Sequence, residues 1–457
     1  MSEKIHISKK ILFCGFWQAH HKKALKLHLN DYSYDHIGLV SHHNYLSKLD
    51  PVFISQKKIY RHNTFQDNPS SHVPSKEIIE NMQAVETTCL KMMDRNYKSP
   101  FKNRQYEFRK RIYLAQLTSA YSILKHYKFD QILFSITPHN TFDYILHHLA
   151  QLLNIKSSFF AQIQVKDTFF HADDIEHIYD QIAEAIDPSA DTVTLPEHLE
   201  NELADRQGIS KPFYMSGAGL TWKQRLYRKQ KQIFRIHSYI QPFYAIPPFL
   251  AYQSIPKLKS PPENDYVYFA LHFQPEATTS PLGGIYVDQY FAILMLARSL
   301  PAGISVVVKE HPRQHFWQRF PDFYKLLKSE DNIKFAHIKT DSHTLTKKAL
   351  AVATITGTVG WEAIFNKKPV LLFGSVFYTH LKGVINVTDQ ASISDAIKKV
   401  QNDQFEFASE LELRQFLKAI YTTGYTGVMD EEYFRNSSFS KQYSIDQIAL
   451  ALKDITT

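Results

Sequence analysis

The sequence is poor in cysteine, in long apolar runs and in glycine-rich nucleotide motifs. Its 457 residues include only 2 cysteines, Cys14 and Cys89, which excludes a disulfide framework and a cysteine-based zinc cluster. So few cysteines fit a reducing compartment, and we expect a cytoplasmic location. No apolar stretch approaches the roughly 20 residues of a membrane-spanning helix. Neither a Gly-x-Gly-x-x-Gly nor a Walker motif occurs, so ordinary NAD binding and ATP hydrolysis lack their usual support.

What the chain does contain is ample material for packed interiors. The hydrophobic residues make up 44% of the sequence and the aromatic residues 14%. Such a composition excludes global disorder, collagen and coiled coil. The length predicts two or three domains.

Positive charge is concentrated in one segment. The formal net charge is +8, yet residues Gln207 to Pro262 contain no Asp or Glu and hold enough Lys and Arg to account for the whole excess. Within this segment, Lys223 to Arg235 predicts a basic, partly amphipathic helix. It could be a solvated helix near a domain junction, or a surface that meets anionic lipid or an anionic glycolipid. No helix-turn-helix, zinc-finger or RNP-like pattern accompanies the charge, so we predict no nucleic-acid partner.

Short apolar runs alternate with helical patterns in both halves. In the first half, strands are predicted at Lys10–Gly15, Phe129–Ser135 and Ile155–Phe160, with a helix over Phe142–Leu153. In the second half, runs such as Tyr266–His272 are short and apolar, as a sheet buried on both faces requires. The pattern predicts an α/β protein with two Rossmann-like, doubly wound domains.

The predicted domain limits follow from these changes in pattern. We expect a first domain over 1–205, a basic interdomain segment over 206–262, a second domain over 263–435 and a carboxy-terminal helix over 436–457.

Three strand ends of the second half are polar. They are the loop His272–Pro281, the segment Lys309–Arg313 and the turn Thr356–Thr358, which opens a helix. Ligands of open parallel sheets bind at the carboxyl ends of the strands, and a helix that begins with small residues favours phosphate. Each piece alone is common in structural loops and helix caps. Together, in this order, they predict a phosphate-binding site.

These motifs resemble the donor half of the capsule polysaccharide biosynthesis family. The resemblance lies in Lys309–Pro312, Thr356–Thr358, Trp361–Ala363 and Lys368–Val370, and more loosely in the Gln274–Pro281 loop and the Pro138–Asp143 segment. The family comprises GT-B glycosyltransferases, including bacterial Kdo transferases, whose two domains face each other across a cleft. Teichoic-acid glycerophosphotransferases share the same layout, so transfer of a polyol phosphate stays open.

The resemblance implies roles for individual residues. His311 would bind the donor phosphate and stabilise the leaving nucleotide, and Pro312 would pack near the base. Thr356, Gly357 and Thr358 would bind phosphate oxygens, and Glu362 would accept from ribose hydroxyls. The rest of the predicted donor-binding set is Gln274, Lys309 and Glu310. No cofactor and no metal are implied, and the sequence lacks the Asp-x-Asp motif with which other glycosyltransferases hold one.

Transfer to an acceptor also requires a base. Three candidates remain: Glu276 in the second half, and His139 and Asp143 at the start of a helix in the first half. The adjacent pairs His20-His21, His42-His43 and His147-His148 are interpreted as structural, because neighbouring side chains diverge on helices and strands.

The leading hypothesis is a metal-independent glycosyltransferase that uses a nucleotide sugar, with CMP-Kdo or a related CMP-sugar as donor. Its acceptor would be a surface polysaccharide or lipopolysaccharide, and its location the cytoplasm or the inner face of the cytoplasmic membrane. The alternatives are a teichoic-acid-type polyol-phosphate transferase, a sugar-nucleotide epimerase and a non-catalytic polysaccharide-assembly protein.

Overall fold

The structure is a computed structural model of the whole chain. It describes residues 4–56, 58–59, 72–96, 105–207, 246–274, 276, 279–315, 319 and 322–457. The predicted basic helix over Lys223 to Arg235 lies outside the described residues. Among those that are described, no helix combines the length and the apolar character needed to cross a membrane.

The chain divides into two compact units. Unit 1 comprises 1–96, 101–202 and 415–457, and unit 2 comprises 97–100 and 203–414. This division differs from the predicted limits at the carboxyl side, because 415–435 group with unit 1 and not with the second domain. The sequence pattern did not show this, since helix Glu410–Thr423 runs without a break from one unit into the other.

Unit 1 is built on a 7-stranded sheet. Its strands are β1 (Ile5–Cys14), β2 (Tyr32–Ser41), β3 (Val52–Ser55), β4 (Gln131–Phe134), β5 (Lys156–Gln162), β6 (Thr168–Ala172) and, late in the chain, β14 (Tyr425–Thr426). The spatial order is β14-β6-β5-β4-β1-β2-β3. Pairing from β3 through β5 is parallel, whereas β6 and β14 add antiparallel strands at one edge. The helices of this unit begin and end at Ala19–Asp31, Lys76–Asn81, Gln83–Asn96, Tyr106–Tyr127, Thr141–Leu152, Asp180–Glu184 and Lys441–Thr456. Helix Glu197–Gln207 begins in unit 1 and ends in unit 2.

The last helix, Lys441–Thr456, is part of the core of unit 1. Its buried Ile448 and Leu452 share one apolar cluster with Leu25 and Leu29 of helix Ala19–Asp31. The Tyr34 hydroxyl also donates to the Thr456 hydroxyl at 2.8 Å. The carboxy-terminal helix is therefore a structural element of the first unit.

Unit 2 contains a second 7-stranded sheet. Its strands are β7 (Lys257–Leu258), β8 (Tyr266–Ala270), β9 (Ser305–Lys309), β10 (Ile333–Ala336), β11 (Ala351–Thr354), β12 (Val370–Leu372) and β13 (Val384–Asn386). They lie in the order β13-β12-β11-β8-β9-β10-β7 and every pair is parallel. From β10 to β13 this is the Rossmann order, whose ligand crevice lies where the strand order reverses, at β8. Its helices are Gln289–Ser299, Phe323–Lys328, Ser342–Lys348, Thr358–Phe365 and Gln390–Gln401, followed by Glu410–Thr423.

Burial explains why these short runs form strands. All residues of β9 and β11 are buried, as expected where helices cover both faces of a parallel sheet. The predicted fold class of two Rossmann-like domains is therefore confirmed.

Candidate functional site

The candidate site of unit 2 lies at the carboxyl ends of its central strands. β8 is hydrogen-bonded to β9 on one side and to β11 on the other. A polar residue lies two positions after the end of each of these three strands: His272 after β8, His311 after β9, and Thr356, which begins the turn Thr356–Thr358, after β11. Parallel pairing thus brings the three predicted motifs to one edge of the sheet.

His272 joins the end of β8 to the turn after β11. Its ring Nε2 accepts the backbone N–H of Thr356 at 3.3 Å and lies 3.2 Å from the Thr354 hydroxyl oxygen. That hydroxyl oxygen also accepts the backbone N–H of Gly357 at 3.1 Å. A Cβ atom on Gly357 would lie 2.6 Å from the Thr354 hydroxyl oxygen and 3.2 Å from the His272 ring. The turn therefore requires glycine at this position because the backbone packs directly on the imidazole.

Helix Thr358–Phe365 begins immediately after this turn. Gly357 is its N-cap and provides no side-chain cap, so the first turn of the helix points its backbone N–H groups and its positive dipole end toward the edge of the sheet. Trp361 and Tyr378 stack beneath it at 6.1 Å between ring centroids. The Tyr378 hydroxyl also donates to the Gly357 carbonyl, which fixes the start of the helix.

His311 is held by its own loop. Its ring Nδ1 accepts the backbone N–H of Arg313 at 3.2 Å, and its backbone N–H donates to the Glu310 carboxylate at 2.7 Å. Because Nδ1 is an acceptor, the neutral ring carries its proton on Nε2. The Nε2–H of His311 is therefore the group that this loop presents.

Both imidazoles are neutral at physiological pH. Burial lowers the pKa of His272 to about 3, and the Arg319 guanidinium, like any proton on His311, acts in the same direction. Burial also lowers the pKa of His311 to about 4, against an opposing effect of Glu310. The site thus offers hydrogen-bond donors without a full positive charge.

A buried ion pair between Arg319 and Glu310 lies beside the carboxyl ends of β8 and β9. Arg319 and Glu310 are 0% and 1% exposed in their side chains and approach to 2.7 Å. Arg319 also donates to the His272 carbonyl at 2.9 Å and to the Gln274 side-chain oxygen at 2.8 Å. The Tyr324 hydroxyl completes the network by donating to Glu310. One guanidinium therefore ties the end of β8 to the end of β9.

Two predicted donor-binding residues, Glu310 and Gln274, have side chains that bond to other parts of the protein in this network. Glu310 is fully engaged with Arg319 and Tyr324. The Gln274 amide donates to the Val287 carbonyl while its oxygen accepts from Arg319. Their side chains serve to hold the strand ends, and the prediction that they contact a donor directly has no support in this geometry.

The remaining predicted residues of this half take varied positions. Lys309 is buried, donates to the Ser342 hydroxyl at 2.7 Å, and has its pKa lowered by burial. Thr356 and Thr358 are buried in the turn, and Glu362 is half-buried on the helix that follows. Pro312 and Glu276 are exposed. Their individual roles stay predictions.

The two candidates in unit 1 lie after β4. The His139 Nδ1–H donates to the Thr137 carbonyl oxygen at 2.8 Å. Asp143 is in the first turn of helix Thr141–Leu152 and only 7% exposed. Asn140 donates to its Oδ2 at 3.3 Å, whereas its buried Oδ1 has no partner. Burial raises the pKa of Asp143 to about 6.

The raised pKa of Asp143 predicts a pH-dependent cost in stability. Because the folded-state pKa of about 6 lies above the ordinary value of 3.8, the folded state binds the proton more tightly, and this contribution is lost as pH rises from the ordinary pKa through the folded one. The Asp143→Asn variant should match the wild type near pH 4 and be more stable at about pH 7.5, by up to about 3 kcal/mol. Urea unfolding at both pH values measures this, with the same change at exposed Asp173 as control. Parallel pH profiles for Asp143→Asn and wild type would contradict the prediction.

Two of the adjacent histidine pairs, His20-His21 and His147-His148, contain rings with structural partners. The Nε2 atoms of His20 and His21 lie 2.8 Å and 2.7 Å, respectively, from the Met429 carbonyl oxygen. The Nδ1 atom of His147 lies 2.8 Å from the Ser157 hydroxyl oxygen. Within the described ranges, no three His, Cys, Asp or Glu side chains are grouped so that they could hold a metal ion.

The sequence placed His272 in a polar loop after a strand but gave it no role of its own, and it gave no role to Thr354 or Arg319. His272 could have been found, because it follows a strand in the same way as His311 does. Arg319 had no such signal, since it lies in a loop and its partners come from two different strand ends.

Comparison with known proteins supports the resemblance of this half. Residues 286–425 match the family model described as capsule polysaccharide biosynthesis protein, and this range includes the His311 and Thr356–Thr358 motifs. The match confirms the resemblance to that family predicted from the sequence. No curated protein matches the chain.

Several solved structures align with low identity. The KpsC β-Kdo 2,7 transferase of Thermosulfurimonas dismutans is 10% identical, covering 97% of this chain and 100% of its own, with a TM-score of 0.35. The UDP-GlcNAc 2-epimerase of Methanocaldococcus jannaschii is 12% identical, covering 92% and 99%, with a TM-score of 0.27. The family match is the comparison on which the functional proposal depends.

Proposed function

We propose that this protein, whose residues 286–425 match the capsule polysaccharide biosynthesis family, is a glycosyltransferase that takes a sugar from a nucleotide donor. The observation that supports this most directly is the pair of neutral imidazoles, His272 and His311, beside the helix start at Gly357. All three lie at the sheet edge where Rossmann-like domains bind their ligands.

The proposed chemistry uses these groups as donors to a departing phosphate. When the bond between sugar and nucleotide breaks, negative charge grows on the phosphate oxygens. Fixed N–H donors stabilise that charge without having to reorganise during the reaction. The Nε2–H of His311 and the first turn of helix Thr358–Phe365 are fixed in this sense. The His311 ring is held by the bond from the Arg313 backbone N–H to its Nδ1, and the start of the helix is held by the bond from the Gly357 N–H to the Thr354 hydroxyl.

The acceptor hydroxyl must lose a proton during transfer. Among the candidates Glu276, His139 and Asp143, we propose Asp143. A pKa near 6 suits a base that works at neutral pH. Loss of activity in the stabilised Asp143→Asn variant would support this assignment.

The donor that we propose is a CMP-sugar such as CMP-Kdo, and the product a surface polysaccharide or lipopolysaccharide. Because the sequence has no Asp-x-Asp motif, we propose that transfer needs no metal and continues in the presence of a chelator. The basic segment Lys223 to Arg235 would bring the enzyme to the anionic inner face of the membrane.

A thermal-shift screen against CMP, CDP, UDP and GDP tests the donor. CMP at about 100 times its Kd should stabilise the folded protein by about 2.7 kcal/mol, whereas UDP and GDP at the same concentration should not. Cytidine is the matched control, since it lacks the phosphate. Absence of a shift with every nucleotide would contradict the proposal.

Incubation with donor and acceptor then separates the alternatives. Transfer of sugar supports the proposal, and transfer of a polyol phosphate points to the teichoic-acid type. Epimerised nucleotide sugar without any acceptor indicates an epimerase. Nucleotide binding without turnover across a panel of acceptors indicates an assembly protein.

A further inference from the structure

His272 is held by hydrogen bonds to both its backbone and its ring. Its backbone N–H donates to the Gln289 side chain at 2.7 Å, and its carbonyl accepts from the same side chain at 3.2 Å and from Arg319 at 2.9 Å. Its ring Nε2 accepts from Thr356. Backbone and ring are thus both oriented by buried partners.

The orientation determines which ring nitrogen carries the proton. Since Nε2 accepts a backbone N–H, the neutral ring is protonated on Nδ1. No described residue accepts from this Nδ1–H. The residue is 9% exposed, and its Nδ1 is not among the buried polar atoms that lack a partner. The Nδ1–H therefore reaches solvent at the edge of the sheet.

The position of this donor is also defined. The ring carbon Cε1, which is bonded to Nδ1, would lie 3.2 Å from a Cβ on Gly357. The donor consequently lies next to the turn at which helix Thr358–Phe365 begins. A proton on His311 would interact electrostatically with His272, so the two rings lie near each other.

We infer that His272 binds a phosphate group through its Nδ1–H, as a second imidazole that works together with the Nε2–H of His311 and the helix start. This inference rests on the proposed function and assigns a further residue to the same site. The two rings use opposite nitrogens: His272 is held through Nε2 and donates through Nδ1, whereas His311 is held through Nδ1 and donates through Nε2.

This opposition gives a test by crossed substitution. A glutamine amide reaches the position of Nε2 and an asparagine amide that of Nδ1. His272→Gln keeps the bond to Thr356 and loses the donor, whereas His272→Asn keeps a donor and loses that bond. For His311 the roles are reversed, so His311→Asn loses the donor and His311→Gln keeps it. His337→Gln is the matched control, because His337 also follows a strand and also accepts a backbone N–H through Nδ1, from Lys339 at 3.1 Å.

The measurement is the Kd for CMP and for cytidine by calorimetry, with Tm recorded for each variant. His272→Gln and His311→Asn should weaken CMP binding about tenfold to a hundredfold, as expected for a lost hydrogen bond to a charged group, and leave cytidine binding and Tm unchanged. His272→Asn should lower Tm and keep most of the CMP affinity. The imidazole ¹⁵N signal of His272 in the unmodified protein gives an independent readout, and it should move with CMP and not with cytidine.

The outcomes separate this inference from the proposed function. If His272→Gln binds CMP like the wild type and the ¹⁵N signal does not move, His272 is structural and the inference fails while the proposed function stands. If the crossed pattern appears but no sugar is transferred, the inference stands and the proposed function fails. A wild type that binds neither CMP nor inorganic phosphate overturns both.

Discussion

The His311→Ala variant is expected to lose about 10² to 10³ in kcat, which is the usual cost of removing one fixed donor to developing charge. The Nε2–H of this ring is held by the bond from the Arg313 backbone to Nδ1, so no reorganisation is needed when charge appears on the phosphate. Alanine removes the donor and leaves the buried Glu310 network beneath it in place. KM should change less than kcat, because the charge is greatest in the transition state.

Release of CMP from a CMP-sugar, with and without acceptor, measures this effect. His337→Ala is the control, since it removes an imidazole after another strand of the same sheet. Turnover within a few-fold of the wild type for His311→Ala would show that the imidazole does not act on the leaving group. A pH profile adds a second check: because burial holds the pKa of His311 at about 4, activity should show no titration of this group between about pH 6 and pH 8.

The main elements around the site were predictable from local sequence. The apolar run that predicted a strand over Tyr266–His272 forms β8 over Tyr266–Ala270, and the helix predicted over Phe142–Leu153 spans Thr141–Leu152. These predictions succeeded because burial on both faces of a parallel sheet selects short, continuous apolar runs. The order of motifs after β8, β9 and β11 then followed from the topology.

What local sequence could not show is which way a polar side chain turns at a strand end. Glu310 and His311 are neighbours in the motif, yet Glu310 is buried against Arg319 while His311 is partly exposed. The partner that decides this, Arg319, lies nine residues further along the chain, and local sequence does not connect it to the strand end. The antiparallel strand β14 and the membership of 415–435 in unit 1 were also missed, since both depend on contacts between segments far apart in the chain.

The second large effect is expected on stability, from the Arg319→Met variant. Methionine fills a similar volume but leaves the Glu310 carboxylate buried without its cation. Breaking a buried pair in this way usually costs about 3 to 5 kcal/mol, because an uncompensated charge remains in the interior. The same change removes the donor to the His272 carbonyl, so CMP affinity should fall together with stability.

The large loss of stability expected for Arg319→Met follows from the burial of the ion pair and not from the distance between its charges. A second ion pair in the chain allows this to be tested. Arg298 and Glu330 approach to 2.6 Å, slightly closer than the 2.7 Å of Arg319 and Glu310, but the Arg298 side chain is 59% exposed. Solvent screens such a pair, and its removal changes stability little. In urea unfolding, Arg298→Met should therefore have nearly the same free energy of unfolding as the wild type, whereas that of Arg319→Met should be much lower.

The double variant Arg319→Met with Glu310→Gln should recover part of the lost stability, since it no longer buries a lone charge. Equal stability of the two single variants would mean that water or another cation reaches Glu310, and the fixed framework beneath both imidazoles would have to be abandoned.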